Sequence, residues 1–202
     1  GAYPLLTSRG CVYSCIFCSV PKLSKRKFRA RSPENVIEEL KWAKTRYNIT
    51  GFEIIDDLFN FDIERCKKIC QLLIHEDLNL SWSCPNGIRA DRLDEELAEL
   101  MVRSGCRSVN IGVESGDPEV FNRIKKGETL DTIEKSIEIL QRAGLDITGF
   151  FIIGLPGDSL ESEKKSLDFV RRTKIRGFFN MLVPYPGTEV WEWVKSNARF
   201  IN

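Results

Sequence analysis

The sequence carries almost no surplus charge: 30 Lys plus Arg stand against 29 Asp plus Glu, a formal net charge of +1. That balance removes the broad basic field of a nucleic-acid-binding domain, so nucleic acid is not expected as a partner. Long hydrophobic runs are missing too. The longest, such as FFIIGL at 150–155, fall far short of the ~20 residues that a membrane span needs. No charged segment leads into an apolar stretch at the start, as it would in a secretion signal. The seven cysteines are an odd number, which argues against a closed disulfide framework. The chain is therefore expected to be soluble and cytoplasmic, with reduced thiols and no membrane partner. Only one histidine, His75, is present, and no low-complexity tract or internal linker interrupts the sequence.

What is there is a globular composition, 42% hydrophobic over 202 residues. At ~100–200 residues per domain, this is enough for one domain with a real core. The chain opens with GAYPLLTSRGC, a strand-like segment without an initiator Met. It is expected to be a fragment of a longer protein, with Gly1 and Ala2 a tag remnant; a processed N-terminus is the alternative.

Periodicity divides the chain into repeats. A strand-like run at Tyr3–Ser8 precedes a cysteine-rich loop and the segment SPENVIEELKWAKTRYN, which starts with Ser32 as a cap and Pro33 at the first helical position. GFEIIDD at 51–57 reads as a buried strand, and DIERCKKICQLLIHE at 62–76 aligns Ile63, Cys66, Ile69, Cys70 and Leu73 on one helix face. Four further pairs follow: LSWSCPN with DEELAELMVRSG, SVNIGVE with TLDTIEKSIEILQRAG, DITGFFIIGL with LESEKKSLDFVRRTK, and GFFNMLVPY with TEVWEWVKSN. Gly105 and Gly144 stand where helix C-caps belong. Units of roughly 30 residues each predict a parallel α/β sheet with right-handed crossovers. An eight-unit barrel of ~250 residues does not fit, so the expected fold is a partial (β/α)6 TIM-like barrel with outer helices.

Function in parallel α/β folds gathers at the carboxyl ends of the strands. The polar residues closing the segments above are the cysteine loop, then Asp56 and Asp57, Asn86 and Arg89, Glu114 and Ser115, Gly154 and Gly157, and the turn Pro184–Gly187. The first of these carries the most specific signal. Cys11, Cys15 and Cys18 are spaced CxxxCxxC in one loop. Three thiolates so close in sequence can hold three irons of a cubane cluster and leave the fourth open to another ligand. A tetrahedral zinc site would need a fourth ligand from elsewhere, since His75 lies far down the chain. Packing as small hydrophobes suits Cys66, Cys70, Cys84 and Cys106, but it fits poorly with a loop that also holds Arg9, Ser14 and Ser19.

The CxxxCxxC loop, with Phe17 before its last cysteine at the end of the first strand, resembles that of the radical S-adenosylmethionine (SAM) superfamily, and the likeness runs over the whole chain. It implies a radical SAM core domain in which Cys11, Cys15 and Cys18 ligate a [4Fe–4S] cluster whose open iron is chelated by SAM. Reductive cleavage of SAM would then give a 5′-deoxyadenosyl radical, with flavodoxin or ferredoxin as the kind of electron donor. By the same resemblance Phe17 lies against the adenine. Asp56 and Asp57 occupy the position of a Gly-Gly-Glu motif facing the methionine amino group. Glu114, with Ser115 beside it, corresponds to the residue on the ribose hydroxyls, and a carboxylate that accepts two hydroxyl bonds suits that task. Arg89 is a candidate partner for the methionine carboxylate, with a helix-capping or surface charge as the alternative. Gly154, in IIGLPGD, resembles the glycine motif behind the adenine, and Tyr185 closes the last strand on the same side.

Within the superfamily, RSPENVIEEL, DDLF, GVESG, FIIGLPGDS and PYPGTEVW look most like the enzymes that carry a cobalamin-binding domain ahead of the radical domain. A cobalamin-associated parent is therefore expected, with cobalamin held by that missing domain and not by this chain. Methyl transfer is the leading chemistry, ahead of methylthio transfer. The competing reading is a non-catalytic iron–sulfur or zinc binding module. The one concentrated charge, Lys22 to Arg31 in PKLSKRKFRARSP, reads first as a solvated loop and second as a site for an anionic partner.

Overall fold

The computed structural model describes residues 2–197. Its elements are β1 (Tyr3–Leu5), β2 (Ser8–Arg9), α1 (Val20–Ser24), β3 (Arg29–Ala30), α2 (Pro33–Tyr47), β4 (Gly51–Ile54), α3 (Ile63–His75), β5 (Ser81–Ile88), α4 (Glu95–Arg103), β6 (Cys106–Glu114), α5 (Pro118–Arg123), α6 (Leu130–Ala143), β7 (Asp146–Ile153), α7 (Leu160–Thr173), β8 (Arg176–Met181) and α8 (Glu189–Asn197). Short 3₁₀ turns at Phe59–Phe61 and Ala90–Arg92 follow β4 and β5.

Six strands form one sheet in the order β1-β4-β5-β6-β7-β8, and every neighbouring pair is parallel. Strand order that follows chain order, with a helix in each crossover, is the winding of a partial barrel. The α/β architecture expected from the repeats is the one observed. The first strand differs: the expected Tyr3–Ser8 run stops at Leu5, and Ser8–Arg9 leaves the sheet to pair antiparallel with Arg29–Ala30.

Most of the helices begin on a residue suited to capping them, although Ser19 ahead of α1 makes no capping bond. Ser32, Asp62, Asp94, Thr129 and Ser159 accept hydrogen bonds from the backbone N–H three residues on, satisfying donors that have no intrahelical partner. The apolar stripes then turn inward: Val36, Ile37 and Leu40, Cys66, Ile69 and Cys70, Leu97 and Met101, and Ile133, Ile137 and Leu140 are all buried. They meet the outward sheet face of Phe52, Trp82, Cys84, Val109, Ile111 and Phe151. The alternate residues face the concave side and are not sealed. Ser83, Asn110, Gly112, Thr148, Phe150 and Asn180 are half-buried or exposed. The sheet thus packs its convex face and leaves a lined hollow on the other.

Candidate functional site

The cysteine loop is fastened from below by carboxylates. Asp56, just past β4, is fully buried and accepts hydrogen bonds from Thr7 N at 2.6 Å, Thr7 Oγ1 at 2.5 Å and Ser8 Oγ at 2.6 Å. Bonds to an ionised acceptor are about twice as strong as neutral ones, and these three draw the chain off the ladder after Leu5. They account for the early end of the first strand. Asp56 therefore departs from the expected cofactor contact: its oxygens serve the loop. Asp57 is exposed and accepts from Gly10 N at 2.8 Å, beside the first cysteine.

Cys11, Cys15 and Cys18 are all half-buried free thiols. Between them Ile16 is buried and tied on both sides, its N–H to Ile124 O and its carbonyl to Val190 N, each at 3.1 Å. Tyr13 is clamped under the Arg89 guanidinium, 3.4 Å from the ring centroid. Burial pushes the Cys15 thiol up to about 11 and raises Cys11 and Cys18 as well. Thiolates here need a metal's positive charge to form at neutral pH. Among the described residues no three His, Cys, Asp or Glu side chains converge as the ligands of one ion would. Three thiols presented by one loop, without a fourth ligand, match a cubane cluster in which each thiolate takes a separate iron.

GVESG builds the opposite wall. Ser115 N–H bonds to Val113 O at 2.8 Å across Glu114, whose φ is +67°. This is a γ-turn of the rarer, strained hand, the kind of strain that persists where surroundings fix it. It sets the Glu114 carboxylate at the end of β6, where Oε1 accepts from Lys126 Nζ at 2.8 Å. Lys126 is buried, donates also to Gly112 O at 2.5 Å, and lies 3.6 Å from Glu128. A Cβ on Gly112 would come within 2.2 Å of Glu114 Oε1 and 2.5 Å of Lys126 Nζ, so the glycine makes room for the pair. Burial opposes the Lys126 charge, but Glu114 and Glu128 more than offset it and hold its pKa above the usual lysine range. Glu128 Oε1 accepts from Ala90 N and Asp91 N, and burial raises its pKa against the pull of Lys126 and Arg89.

Arg89 is not a surface charge. It is buried, its Nε bonds Asp91 at 2.8 Å, and its Nη1 donates to Lys126 O at 3.0 Å. Its Nη2 is buried with no hydrogen-bond partner. Glu128 Oε1 lies 3.8 Å from it, beyond hydrogen-bond reach, and a buried cationic donor without a hydrogen bond is costly unless a ligand meets it, which the carboxylate of a bound amino acid would do. Lys126, Glu128 and Tyr13 are the participants that sequence reasoning missed. RIKKGE looks like a solvated turn, and only the position of that turn behind the GVESG strand could have flagged it.

Phe17, Glu114, Phe150, Ile152, Phe178, Asn180, Met181 and Tyr185 line one cleft of about 410 Å³ on the concave side. The structure thus brings Phe17, Glu114 and Tyr185 together. Gly154 stands at the end of β7 in a left-handed turn (φ +91°), its N–H bonded to Asp158 at 2.8 Å. Ser115 is buried behind Glu114 and accepts from Asp117 N at 3.2 Å. A cavity of similar size lies at the other end of the sheet, under Thr50, Leu80 and Gly105, away from all these groups.

The sequence profile of the Radical SAM superfamily matches residues 5–170. The chain belongs to this superfamily. It is 33% identical over 96% of its length to an uncharacterized methyltransferase of Pyrococcus horikoshii, spanning 42% of that protein. It is 34% identical over 82% of its length to the cytidylyl-2-hydroxyethylphosphonate methyltransferase of Streptomyces wedmorensis, spanning 32% of it. Among solved structures, the radical SAM methyltransferase TsrM of Kitasatospora setae, with cobalamin and a [4Fe–4S] cluster bound, superposes with a TM-score of 0.85 at 21% identity. That match covers 94% of this chain and 38% of TsrM, and at such identity it speaks for the fold. The chain spans less than half the length of these relatives.

Proposed function

We propose that the chain is the catalytic core of a cobalamin-associated radical SAM methyltransferase. The observation that carries the reading is that the three-thiol loop, through Phe17, and the Glu114 wall open on the same cleft. In this reading Cys11, Cys15 and Cys18 hold a [4Fe–4S] cluster, which when bound supplies the electron that splits the SAM sulfonium into methionine and a 5′-deoxyadenosyl radical. The chain's own part is to bind and orient. Arg89 Nη2 meets the methionine carboxylate, Asp57 the amino group, and Glu114 the ribose hydroxyls. Phe17 lies along the adenine, with Gly154 and Tyr185 beside it and Ser115 keeping the Glu114 turn in shape. Lys126, bonded to Glu114 Oε1, fixes the position of that side chain against the hydroxyls it would accept from.

Relatives named as methyltransferases support methyl transfer as the outcome, with cobalamin supplied by a separate domain of the longer protein. A cytoplasmic setting and a flavodoxin or ferredoxin as reductant complete the reading, since free thiols and a reducible cluster both need a reducing compartment.

The test is anaerobic reconstitution with iron and sulfide, followed by dithionite and SAM. A four-iron cluster by spectroscopy and 5′-deoxyadenosine in the product are expected, and Cys15→Ser removes both. A confirmed four-iron cluster that yields no 5′-deoxyadenosine overturns the assignment. Stoichiometric uptake of hydroxocobalamin by the chain alone overturns the cobalamin half.

A further inference from the structure

We propose that the basic excursion behind the cluster loop, residues 20–31, is the docking surface for an acidic one-electron donor protein. The proposal rests on the radical-enzyme reading, in which each cleavage consumes an electron. Among the described residues no second redox group could store one, since the four remaining cysteines are buried in the core without disulfides. One electron must leave the donor's reduced flavin or iron–sulfur centre, which is oxidised by one equivalent, and enter the cluster, which is reduced by one.

The excursion is built onto the cluster loop. Ser8 and Arg9 pair with Ala30 and Arg29, so the cysteine loop and the basic turn are two limbs of one closed segment. Gly10 is pressed against Lys27, where a Cβ would come within 2.1 Å of the Lys27 carbonyl. Ser24 Oγ lies within 3.5 Å of both backbone polar atoms of Cys11. Lys25 and Arg26 are consecutive non-glycine residues at φ 54° and 55°, held by Arg26 N to Pro21 O and Lys27 N to Ser24 O. Such a turn is costly and throws successive side chains outward.

The result is an unpaired basic surface. Lys22, Lys25, Arg26, Lys27 and Arg29 are exposed, and among the described residues none of the five has a side-chain hydrogen bond or ion pair. Some exposed cations elsewhere pair, as in Lys41–Glu76, Arg142–Glu95 and Lys195–Glu192, and those that do not, such as Arg46, Lys68 and Lys135, stand singly, whereas here five fall within residues 22–29. Within the run Leu23 is 82% exposed. An apolar anchor among charged neighbours is the composition of a protein interface, and uncompensated charge steers an oppositely charged partner. A nucleic acid fits less well. Single strands need free aromatic faces to stack on, and Phe28 is already packed on Phe61 at 4.8 Å.

The test uses the cluster-loaded chain with an acidic flavodoxin hydroquinone as probe. Binding is read by calorimetry and cluster reduction by stopped-flow absorbance. Lys22→Glu, Lys25→Glu and Lys27→Glu combined are expected to lower both flavodoxin affinity and reduction rate about tenfold or more at low salt, with the difference shrinking at high salt. Reduction by dithionite and dithionite-driven 5′-deoxyadenosine formation stay at the parent level. If the triple variant does not load a cluster, the same three positions changed to Gln carry the test with a smaller expected loss, and Leu23→Ser is expected to weaken binding without changing the salt response. Unchanged flavodoxin binding and kinetics in the variants overturn the proposal. So does a parent chain that dithionite reduces and the hydroquinone does not, or a variant that loses affinity for single-stranded RNA while keeping flavodoxin. A parent that binds flavodoxin but forms no 5′-deoxyadenosine with dithionite would refute the radical-enzyme reading alone.

Discussion

Around β1, Asp56 gathers three hydrogen bonds from Thr7 and Ser8, and Arg65 donates to Thr7 O and Arg31 O at 2.8 Å. Arg89, Glu114, Lys126 and Glu128 form a buried ionic group behind the same loop. Along β8 the fastening is of another kind. Five of its six residues are exposed, and its contacts are aromatic: Phe178 edge-on to Phe150 at 5.9 Å and Phe179 stacked on Phe151 at 4.7 Å. Directional charged bonds fix atoms to a few tenths of an ångström, which cofactor ligands need. Aromatic contact fixes a surface without fixing its outline, which suits the side of the cleft where partners and substrates differ. The β1 edge and the ionic group at the ends of β5 and β6 are thus built for position, and the β8 edge for adaptability.

On that contrast the largest effect comes from breaking the ionic group. Lys126→Met removes the cation between Glu114 and Glu128 and leaves the buried Glu114 carboxylate without its ion-pair partner, a loss of about 3–5 kcal/mol. Urea unfolding is expected to show it as a lower midpoint with an unchanged slope. Adding Glu114→Gln to the same variant is expected to restore more than half, because the penalty belongs to the orphaned charge. A Lys126→Met chain as stable as the parent would show that the ionic group does not hold this part of the sheet.

The repeat itself was legible because its signals are local. Alternation marks the strands, 3.6-residue stripes mark the helices, and Ser32 caps where a cap was expected. That the three cysteines share one loop was legible for the same reason, since their spacing keeps them together. The ionic group was not. Lys125 and Lys126 are neighbours with the same side chain, yet Lys125 is exposed on Glu189 at 2.6 Å and Lys126 is buried on Glu114. The difference arises from the left-handed backbone of Lys125, φ 53°, which turns the two in different directions. Asp56 and Asp57 likewise read as a pair, but their fates divide because one follows the buried face of β4 and the other the exposed one. The two-residue ribbon of β2 and β3 is too short for any periodicity to register.

A smaller effect should come from the turn between β7 and α7, one strand in from the β8 edge. Burial, with the Asp158 carboxyl beside it, raises Glu163 from the usual 4.5 to about 7. The folded state therefore binds the proton more tightly than the unfolded one, so this contribution is fully present below about pH 4.5 and is lost as pH rises through 7. After allowance for partial exposure it amounts to about 1 kcal/mol. Melting temperature in the parent is expected to decline across that window, and in Glu163→Gln the decline flattens. A variant with the parent's pH profile would remove this turn from the titrating groups.

The smallest stability change belongs to β8, and there the comparison is sharpest. Phe178 is 55% exposed and lines the cleft, so Phe178→Ala removes little buried surface and should shift stability by no more than about 0.5–1 kcal/mol. An aromatic face in contact with a bound ring is worth about 0.5–1.5 kcal/mol beyond its area. S-adenosylhomocysteine binding to the cluster-loaded chain, measured by calorimetry, is therefore expected to weaken about two- to tenfold. Stability and affinity would then separate at the aromatic edge, whereas at Lys126 they fall together. If Phe178→Ala destabilised the fold as much as Lys126→Met does, the β8 edge would be as rigidly built as the ionic group, and the adaptability assigned to it would be lost.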